Sequence, residues 1–146
     1  MRLLRRTVLA LPLLFLAAAP AAAQEPTLYR RLGGYDALAA VADDFLGRLA
    51  SDPTLQPFFV GHSANSVQRI RQLLVDQLCS ATGGPCVYIG RDMKVTHVGL
   101  GITKAQWATF IRHLEATLDQ FKVGARERTE LLGALGAMEK DVVEKP

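Results

Sequence analysis

The spacing of apolar residues predicts four amphipathic helices. From residue 35 to 50, apolar side chains recur at steps of three and four, which places them on one helical face. The same spacing recurs over about 66–80, after Thr103 and after Gly124. The four sets are Leu38, Val41, Phe45 and Leu49; Val67, Ile70, Leu74 and Leu78; Trp107, Phe110, Ile111, Leu114, Leu118 and Phe121; and Leu131, Leu135, Met138 and Val142. No convincing alternation typical of a strand appears, so the pattern predicts an all-α domain.

Short local motifs mark where these helices begin and end. The Gly-Gly pair at 33–34 precedes the first helix, and the Asp-Pro pair at 52–53 ends it. The Gly-Gly-Pro stretch at 83–85 ends the second helix. Thr103 and Gln106 have the spacing of a capping box at the start of the third.

The N-terminus has the pattern of a cleaved export signal. Three arginines within the first six residues precede an apolar run at 8–19, and residues 21–24 supply an A-x-A cleavage site. We therefore expect a signal peptide at 1–23, a folded domain at 24–146, and export to the periplasm. The apolar run is shorter than the roughly 20 residues of a membrane-spanning helix. An uncleaved anchor is thus the weaker alternative, and no stable membrane insertion is expected after cleavage. The paired arginines leave twin-arginine export open beside the general route.

The charge balance argues against a nucleic-acid partner. The chain has 17 basic and 14 acidic residues, and its pI is about 9.1. Three of the basic residues lie in the export segment, which has no acidic residue, so the remaining chain is balanced. Proteins that bind nucleic acids normally carry a basic patch.

Cys79 and Cys86 are the only cysteines. In an oxidising compartment such a pair suggests a disulfide, and the intervening Gly-Gly-Pro lets the chain reverse. A metal site is less favoured, because two thiols without nearby histidines do not complete a tetrahedral site. The sequence thus permits this disulfide without requiring it.

The connection between the second and third helices, residues 83–102, is glycine-rich and irregular. A long connection of this kind in a small domain is often functional. Within it, a short helical pattern puts Met93 and His97 on one face. By itself, His97 would more often be a core histidine than a ligand. His62 is expected to be solvated in a polar loop, and His113 to be half exposed on a helix.

Taken together, the motifs of the chain resemble the first group of the truncated haemoglobin family. They are Leu-Tyr-Arg-Arg-Leu-Gly-Gly at 28–34, Asp-Phe at 44–45, Pro-Phe-Phe at 57–59, Gly-Gly-Pro at 83–85, Tyr-x-Gly-Arg-Asp-Met-Lys at 88–94, His97, and Gly-Leu-Gly-Ile-Thr at 99–103. The order of these motifs over about 27–143 is specific for this family, whereas any one motif alone is not. The resemblance implies a truncated globin domain, which is a two-over-two helical sandwich, with b-type haem as its cofactor.

Carried over position by position, the resemblance makes His97 the proximal ligand of haem iron. A neutral imidazole nitrogen is a good fifth ligand, and the other ring nitrogen should donate to a backbone carbonyl. Arg91 or Lys94 is expected to pair with a haem propionate. The residues expected to contact haem are Phe45, Phe59, Ile70, Leu74, Tyr88 and Met93, with Leu78 and Val98 as further walls. For each wall residue, an ordinary core contact is an equal alternative.

The distal side departs from the family pattern. Many members have a tyrosine directly after the phenylalanine that matches Phe45, and a glutamine on the next helix. Both groups donate hydrogen bonds to bound dioxygen. Here the tyrosine position is Leu46 and the facing positions are Ile70 and Leu74, none of which can donate. We therefore expect an apolar distal pocket and fast oxygen release.

The resemblance implies reversible binding of oxygen, nitric oxide or carbon monoxide at haem iron. The protein would carry or sense a gas, or act as a nitric oxide dioxygenase, which needs an electron donor that the sequence does not reveal. A peroxidase is less favoured, because no distal histidine or arginine stands at the pocket positions. Two alternatives stay open. One is a cofactor-free helical binding module held by the two cysteines, and the other is a haem-transfer protein that releases haem easily.

Overall fold

The computed structural model describes residues 24–146, which form seven α-helices and one short 3-10 helix. In chain order they are α1 (Leu28–Arg31), α2 (Gly34–Ser51), the 3-10 helix (Gln56–Phe58), α3 (Ala64–Ala81), α4 (Met93–His97), α5 (Lys104–Gln120), α6 (Ala125–Gly136) and α7 (Glu139–Val142). The signal peptide expected at 1–23 lies outside the described residues. Within them no strand forms, and one isolated bridge joins Thr103 to Lys145. The all-α prediction is therefore confirmed. None of the described helices is both long and apolar enough to span a membrane.

The first three predicted helices form with bounds close to those expected. α5 begins with the predicted capping box, in which Thr103 Oγ1 accepts the Gln106 N–H at 3.2 Å. In return, the Gln106 Oε1 atom accepts the Thr103 N–H at 3.0 Å. Such reciprocal bonds satisfy two backbone donors that the first helical turn leaves unpaired.

The fourth predicted helix is divided in two, so the expectation of one continuous apolar helical face from Leu131 to Val142 was wrong. α6 ends at Gly136, and α7 starts at Glu139. Between them the Met138 N–H donates to the Leu135 carbonyl, and the Asp141 N–H donates to the Met138 carbonyl. These three-residue steps tighten the backbone. The tightened turn leads α7 to pack against α4.

The hydrophobic core lies where α2 packs against α3 and α5. Phe45 of α2 meets Phe110 of α5 edge-on, with ring centroids 4.9 Å apart. The buried members of the core are Leu38, Ala42, Phe45, Leu49, Leu55, Val75, Leu78, Cys79, Leu114, Leu118, Leu131 and Leu135. Full burial of a leucine or phenylalanine side chain contributes about 1.5–3 kcal/mol. This core fixes α2 and α3, which carry the predicted distal residues.

Candidate functional site

The short helix α4 holds His97 in a defined tautomer. Asp92 caps the helix, since its Oδ1 atom accepts the Val95 N–H at 2.8 Å. The Nδ1 atom of His97 lies 2.7 Å from the carbonyl oxygen of Met93, one turn earlier. A carbonyl oxygen can only accept, so Nδ1 carries the proton and donates. In the neutral imidazole with this tautomer, the Nε2 atom has the lone pair, and a metal ion can bind there.

Exposed apolar side chains are concentrated in the same stretch of sequence. Of the nine large hydrophobic residues exposed in residues 24–146, seven lie between positions 60 and 100. They are Val60, Val67, Val87, Ile89, Val95, Val98 and Leu100. α4 packs mainly against α7 and carries no fully buried residue. The stretch that contains His97 therefore holds most of the exposed large apolar side chains of the described residues.

The predicted apolar face of α3, from Val67 to Leu78, is fully buried only at its C-terminal end. Val67 is 49% exposed, Ile70 and Leu74 are half-buried, and Leu78 is 1% exposed. Two other residues of α3, Val75 and Cys79, are fully buried in the core, although the predicted apolar face did not include them. The N-terminal half of this apolar face is thus partly exposed, whereas its C-terminal end lies in the core.

Five of the predicted pocket residues belong to one apolar cluster. Phe45 and Leu78 are fully buried in the core, and Leu46, Phe59 and Leu74 are half-buried and pack against it. Four others, Ile70, Tyr88, Met93 and His97, are half-buried and stand outside that cluster. The structure therefore puts part of the predicted pocket in the core and part outside it.

Polar side chains of α3 are engaged away from the predicted distal positions. The Gln72 Nε2 atom donates to the Tyr35 hydroxyl at 2.8 Å and to Asp76 Oδ1 at 2.9 Å. All three of these side chains lie toward solvent or half-buried. The amide of Gln72 is thus held on the outer face of α3, while the distal positions Leu46 and Leu74 are aliphatic.

The other two histidines have different surroundings. His62 is exposed in the loop before α3, as expected. His113 is half-buried on α5, and its Nε2 atom donates to Asp52 Oδ2 at 2.8 Å. Hydrogen bonds from Thr54, then from His113, hold the pKa of the Asp52 carboxyl well below its ordinary value. His113 therefore forms a hydrogen bond between α5 and the segment after α2.

The connection between α3 and α4 is fixed at two points. Cys79 and Cys86 form a disulfide with Cα atoms 5.7 Å apart, which ties the connection to the end of α3. Farther along, the Tyr88 hydroxyl donates to the Arg91 carbonyl at 2.9 Å. Burial, with a smaller effect from the nearby Asp92 carboxylate, raises the pKa of Tyr88.

The Tyr88 ring lies against Gly90, where an added Cβ would come within 2.2 Å of the Tyr88 hydroxyl oxygen. Only glycine fits this close approach without a shift of the ring. Arg91 and Lys94, the predicted propionate partners, are both exposed, and neither forms a salt bridge with a described residue.

Known proteins resemble this chain over nearly its whole described length. Residues 27–144 match the family described as bacterial-like globin. The group 1 truncated hemoglobin GlbN of Mycolicibacterium paratuberculosis is 32% identical over 120 residues, which cover 82% of this chain and 86% of that protein. The truncated hemoglobin of Tetrahymena pyriformis, solved in its Fe(III) form, has a TM-score of 0.75 at 26% identity and covers 82% of this chain and 100% of its own. The 2/2 hemoglobin of Synechococcus sp. PCC 7002, solved in the cyanomet state with covalently attached heme, has a TM-score of 0.74 at 25% identity. That likeness covers 81% of this chain and 98% of the other.

Proposed function

The chain belongs to the bacterial-like globin family, and we propose that it binds diatomic gases reversibly at haem iron, with His97 as the proximal ligand. It is a haem-binding truncated haemoglobin of group 1 with the two-over-two fold. The observation that carries the assignment of His97 is its tautomer. Nδ1 is occupied by the Met93 carbonyl, so Nε2 is the atom left for the metal.

The described residues fit haem in two respects. Nε2 of a neutral imidazole is the donor that haem iron takes in globins. The uncovered apolar side chains between residues 60 and 100 suit a flat apolar macrocycle, whose burial is favoured by about 25 cal/mol per Å². When bound, haem would supply an iron atom that can take the His97 imidazole as a ligand and bind a gas.

The residues of the chain have separate roles at this site. The hydrogen bond to Met93 fixes the orientation of the imidazole and makes Nε2 a stronger donor. Phe59, Tyr88 and Met93 would pack against the macrocycle and exclude water from it. Exposed Arg91 and Lys94 are placed on or beside α4, where a cation can pair with a propionate.

On the distal side, Leu46, Ile70 and Leu74 offer no hydrogen-bond donor. Bound oxygen carries partial negative charge and is stabilised by a donor by roughly 1–3 kcal/mol. The lack of one corresponds to oxygen release faster by one to about two powers of ten, since about 1.4 kcal/mol is tenfold. Carbon monoxide depends less on that donor. We therefore infer a gas-binding site that releases oxygen quickly.

The decisive experiment is an absorption spectrum of residues 24–146 reconstituted with haemin. The wild type is expected to give a Soret band that shifts on reduction and again with carbon monoxide. His97→Ala should lose both shifts, whereas His62→Ala, in an exposed loop, should keep them. Identical spectra for wild type and His97→Ala would refute His97 as the ligand. A spectrum of loosely held haemin in all three would favour the cofactor-free binding module.

Haem transfer is tested on the same material. Excess apomyoglobin takes up haem that the protein releases, and a gas-binding globin should release it slowly. Rapid and complete transfer from the wild type would favour the haem-transfer alternative.

We also propose that the protein works in the periplasm after residues 1–23 have been removed. The Cys79–Cys86 disulfide supports this, because disulfides persist in oxidising compartments. The test is the mass of the protein recovered from the periplasm of an expressing bacterium. A chain that starts at Gln24 and carries two hydrogens fewer than the dithiol is expected. A full-length chain retained in the cytoplasm would contradict the proposal.

A further inference from the structure

The side chain of Glu144 accepts two hydrogen bonds from the loop that directly follows His97. Its Oε1 atom accepts the Gly99 N–H at 2.8 Å, and its Oε2 atom accepts the Gly101 N–H at 2.5 Å. These two bonds hold the pKa of the Glu144 carboxyl below its ordinary value. In the chain, Gly101 lies 43 positions before Glu144 and Gly99 lies 45 positions before it.

The loop after His97 depends on this carboxylate for its shape. The Val98 N–H donates to the Lys94 carbonyl, and the Leu100 N–H donates to the His97 carbonyl at 3.2 Å. The remaining two amides of the loop are those that Glu144 accepts. Both belong to glycines with positive φ, +85° at Gly99 and +66° at Gly101, which other residues rarely adopt. Of the four backbone N–H groups at 98–101, two therefore donate to nearby backbone carbonyls and two donate to Glu144.

The segment that carries Glu144 is itself held in place. The backbone N–H groups of Glu144 and Lys145 both donate to the Ile102 carbonyl, at 2.8 and 3.1 Å. The Lys104 N–H donates to the Lys145 carbonyl at 3.1 Å. α7, which leads into this segment, packs against α4. The carboxylate is thus presented from a fixed backbone and not from a free end.

We propose that Glu144 is a positioning residue for the proximal ligand: it holds the backbone after His97 and thereby the direction of the His97 Nε2 atom. This inference rests on the proposed role of His97. α4 has only five residues, and so short a helix is not stable without outside contacts. Asp92 holds its beginning, and Glu144 holds the chain at its end. Loss of a group that is hydrogen-bonded to a metal-ligating histidine lowers metal affinity by about 10–100-fold. Glu144 acts on His97 through the backbone, so we expect an effect at the lower end of that range.

The test compares holoproteins of residues 24–146 with Glu144→Ala, Glu144→Gln and Asp36→Ala. Asp36→Ala removes an equal charge from an exposed position on α2. One measurement is the rate of haem loss to apomyoglobin. The other is the iron–histidine stretching band of the ferrous protein in resonance Raman spectra, which reports the orientation of the imidazole.

Glu144→Ala should lose haem about tenfold faster than wild type and shift or broaden the iron–histidine band. Glu144→Gln keeps one acceptor oxygen, so its haem-loss rate and its iron–histidine band should lie between those of wild type and Glu144→Ala. Asp36→Ala should match wild type in both measurements. An iron–histidine band and a haem-loss rate that are unchanged in Glu144→Ala would overturn the proposal, as would equal effects of Glu144→Ala and Asp36→Ala.

Amide hydrogen exchange in the haem-free protein separates this inference from the proposed function. The Gly99 and Gly101 amides should exchange faster in Glu144→Ala than in wild type, while core amides of α2 stay equally protected. Unchanged exchange at both glycines would also overturn the proposal. Failure of the proposed function would appear elsewhere, as a wild-type haemin spectrum that does not depend on His97.

Discussion

The Nε2 atom of His113 donates to the Oδ2 atom of Asp52 across 2.8 Å, and this bond joins α5 to the segment that follows α2. The other oxygen of Asp52 accepts both the N–H and the hydroxyl of Thr54, at 2.8 and 2.6 Å. One carboxylate thus holds the turn after α2 and attaches it to α5. That turn leads into the Phe58–Phe59 pair on the way to α3.

The Asp52 contacts predict a loss of stability in acid. Because the hydrogen bonds of Thr54 and His113 lower the pKa of Asp52 in the folded state, the folded protein favours the carboxylate. The stabilisation is present above the ordinary pKa of 3.8 and is lost as the pH falls through the lower folded-state value. Wild type should therefore lose thermal stability below about pH 4 more steeply than Asp52→Asn. Thermal melts between pH 2 and 7 measure this, with Asp36→Asn as the control. Parallel curves for wild type and Asp52→Asn would contradict the prediction.

Most of the helical architecture follows from local features of the sequence. Apolar spacing of three and four residues predicts α2, α3 and α5, because amphipathic periodicity is itself the cause of one-sided burial. The capping box at Thr103 sets the start of α5, and the structure forms it. The break between α6 and α7 is harder to predict. It depends on how the turn at Met138 leads the chain to α4, which no local pattern encodes.

The candidate site could be predicted only in part. The four-residue step from Met93 to His97 predicts that both lie on one face. The structure adds that the backbone carbonyl of Met93 is the group to which the His97 Nδ1 atom donates. The haem assignment came from the order of motifs and not from periodicity. Glu144 gave no indication of its role, because a charged residue near a chain end is usually solvated, and its partners are 43 and 45 residues away.

Removal of the disulfide should destabilise the protein. Cys79 and Cys86 are seven positions apart, and closing so small a loop contributes about 2–3 kcal/mol by restricting the unfolded chain. The double variant Cys79→Ala, Cys86→Ala should lower the free energy of unfolding in urea by about this amount. The matched control is wild type under dithiothreitol, which should show a similar loss. If neither the double variant nor reduction changes the unfolding midpoint, the bond does not stabilise the fold.

Two glycine substitutions should have opposite effects. Gly90→Ala would place a Cβ 2.2 Å from the Tyr88 hydroxyl oxygen, so the ring must move and its bond to Arg91 must weaken. Gly133→Ala lies in α6 with nothing within 4 Å of the added Cβ. It should raise stability by about 0.5–1 kcal/mol, because alanine is the better helix former. Urea unfolding of both variants measures the difference. A Gly90→Ala protein as stable as Gly133→Ala would mean that the Tyr88 ring is not confined.

A hydroxyl added at residue 46 should slow oxygen release. Leu46 is half-buried against the core, beside the fully buried Phe45, at the position where many members of the family carry a donor tyrosine. Leu46→Tyr should lower the oxygen dissociation rate by roughly 10–100-fold, because a donor stabilises the partial negative charge on bound oxygen. Leu46→Phe adds nearly the same volume without the hydroxyl and should leave that rate within a few-fold of wild type. Stopped-flow displacement of oxygen by carbon monoxide measures all three proteins. Equal slowing in the tyrosine and phenylalanine variants would show that bulk, and not the missing donor, controls oxygen release from this pocket.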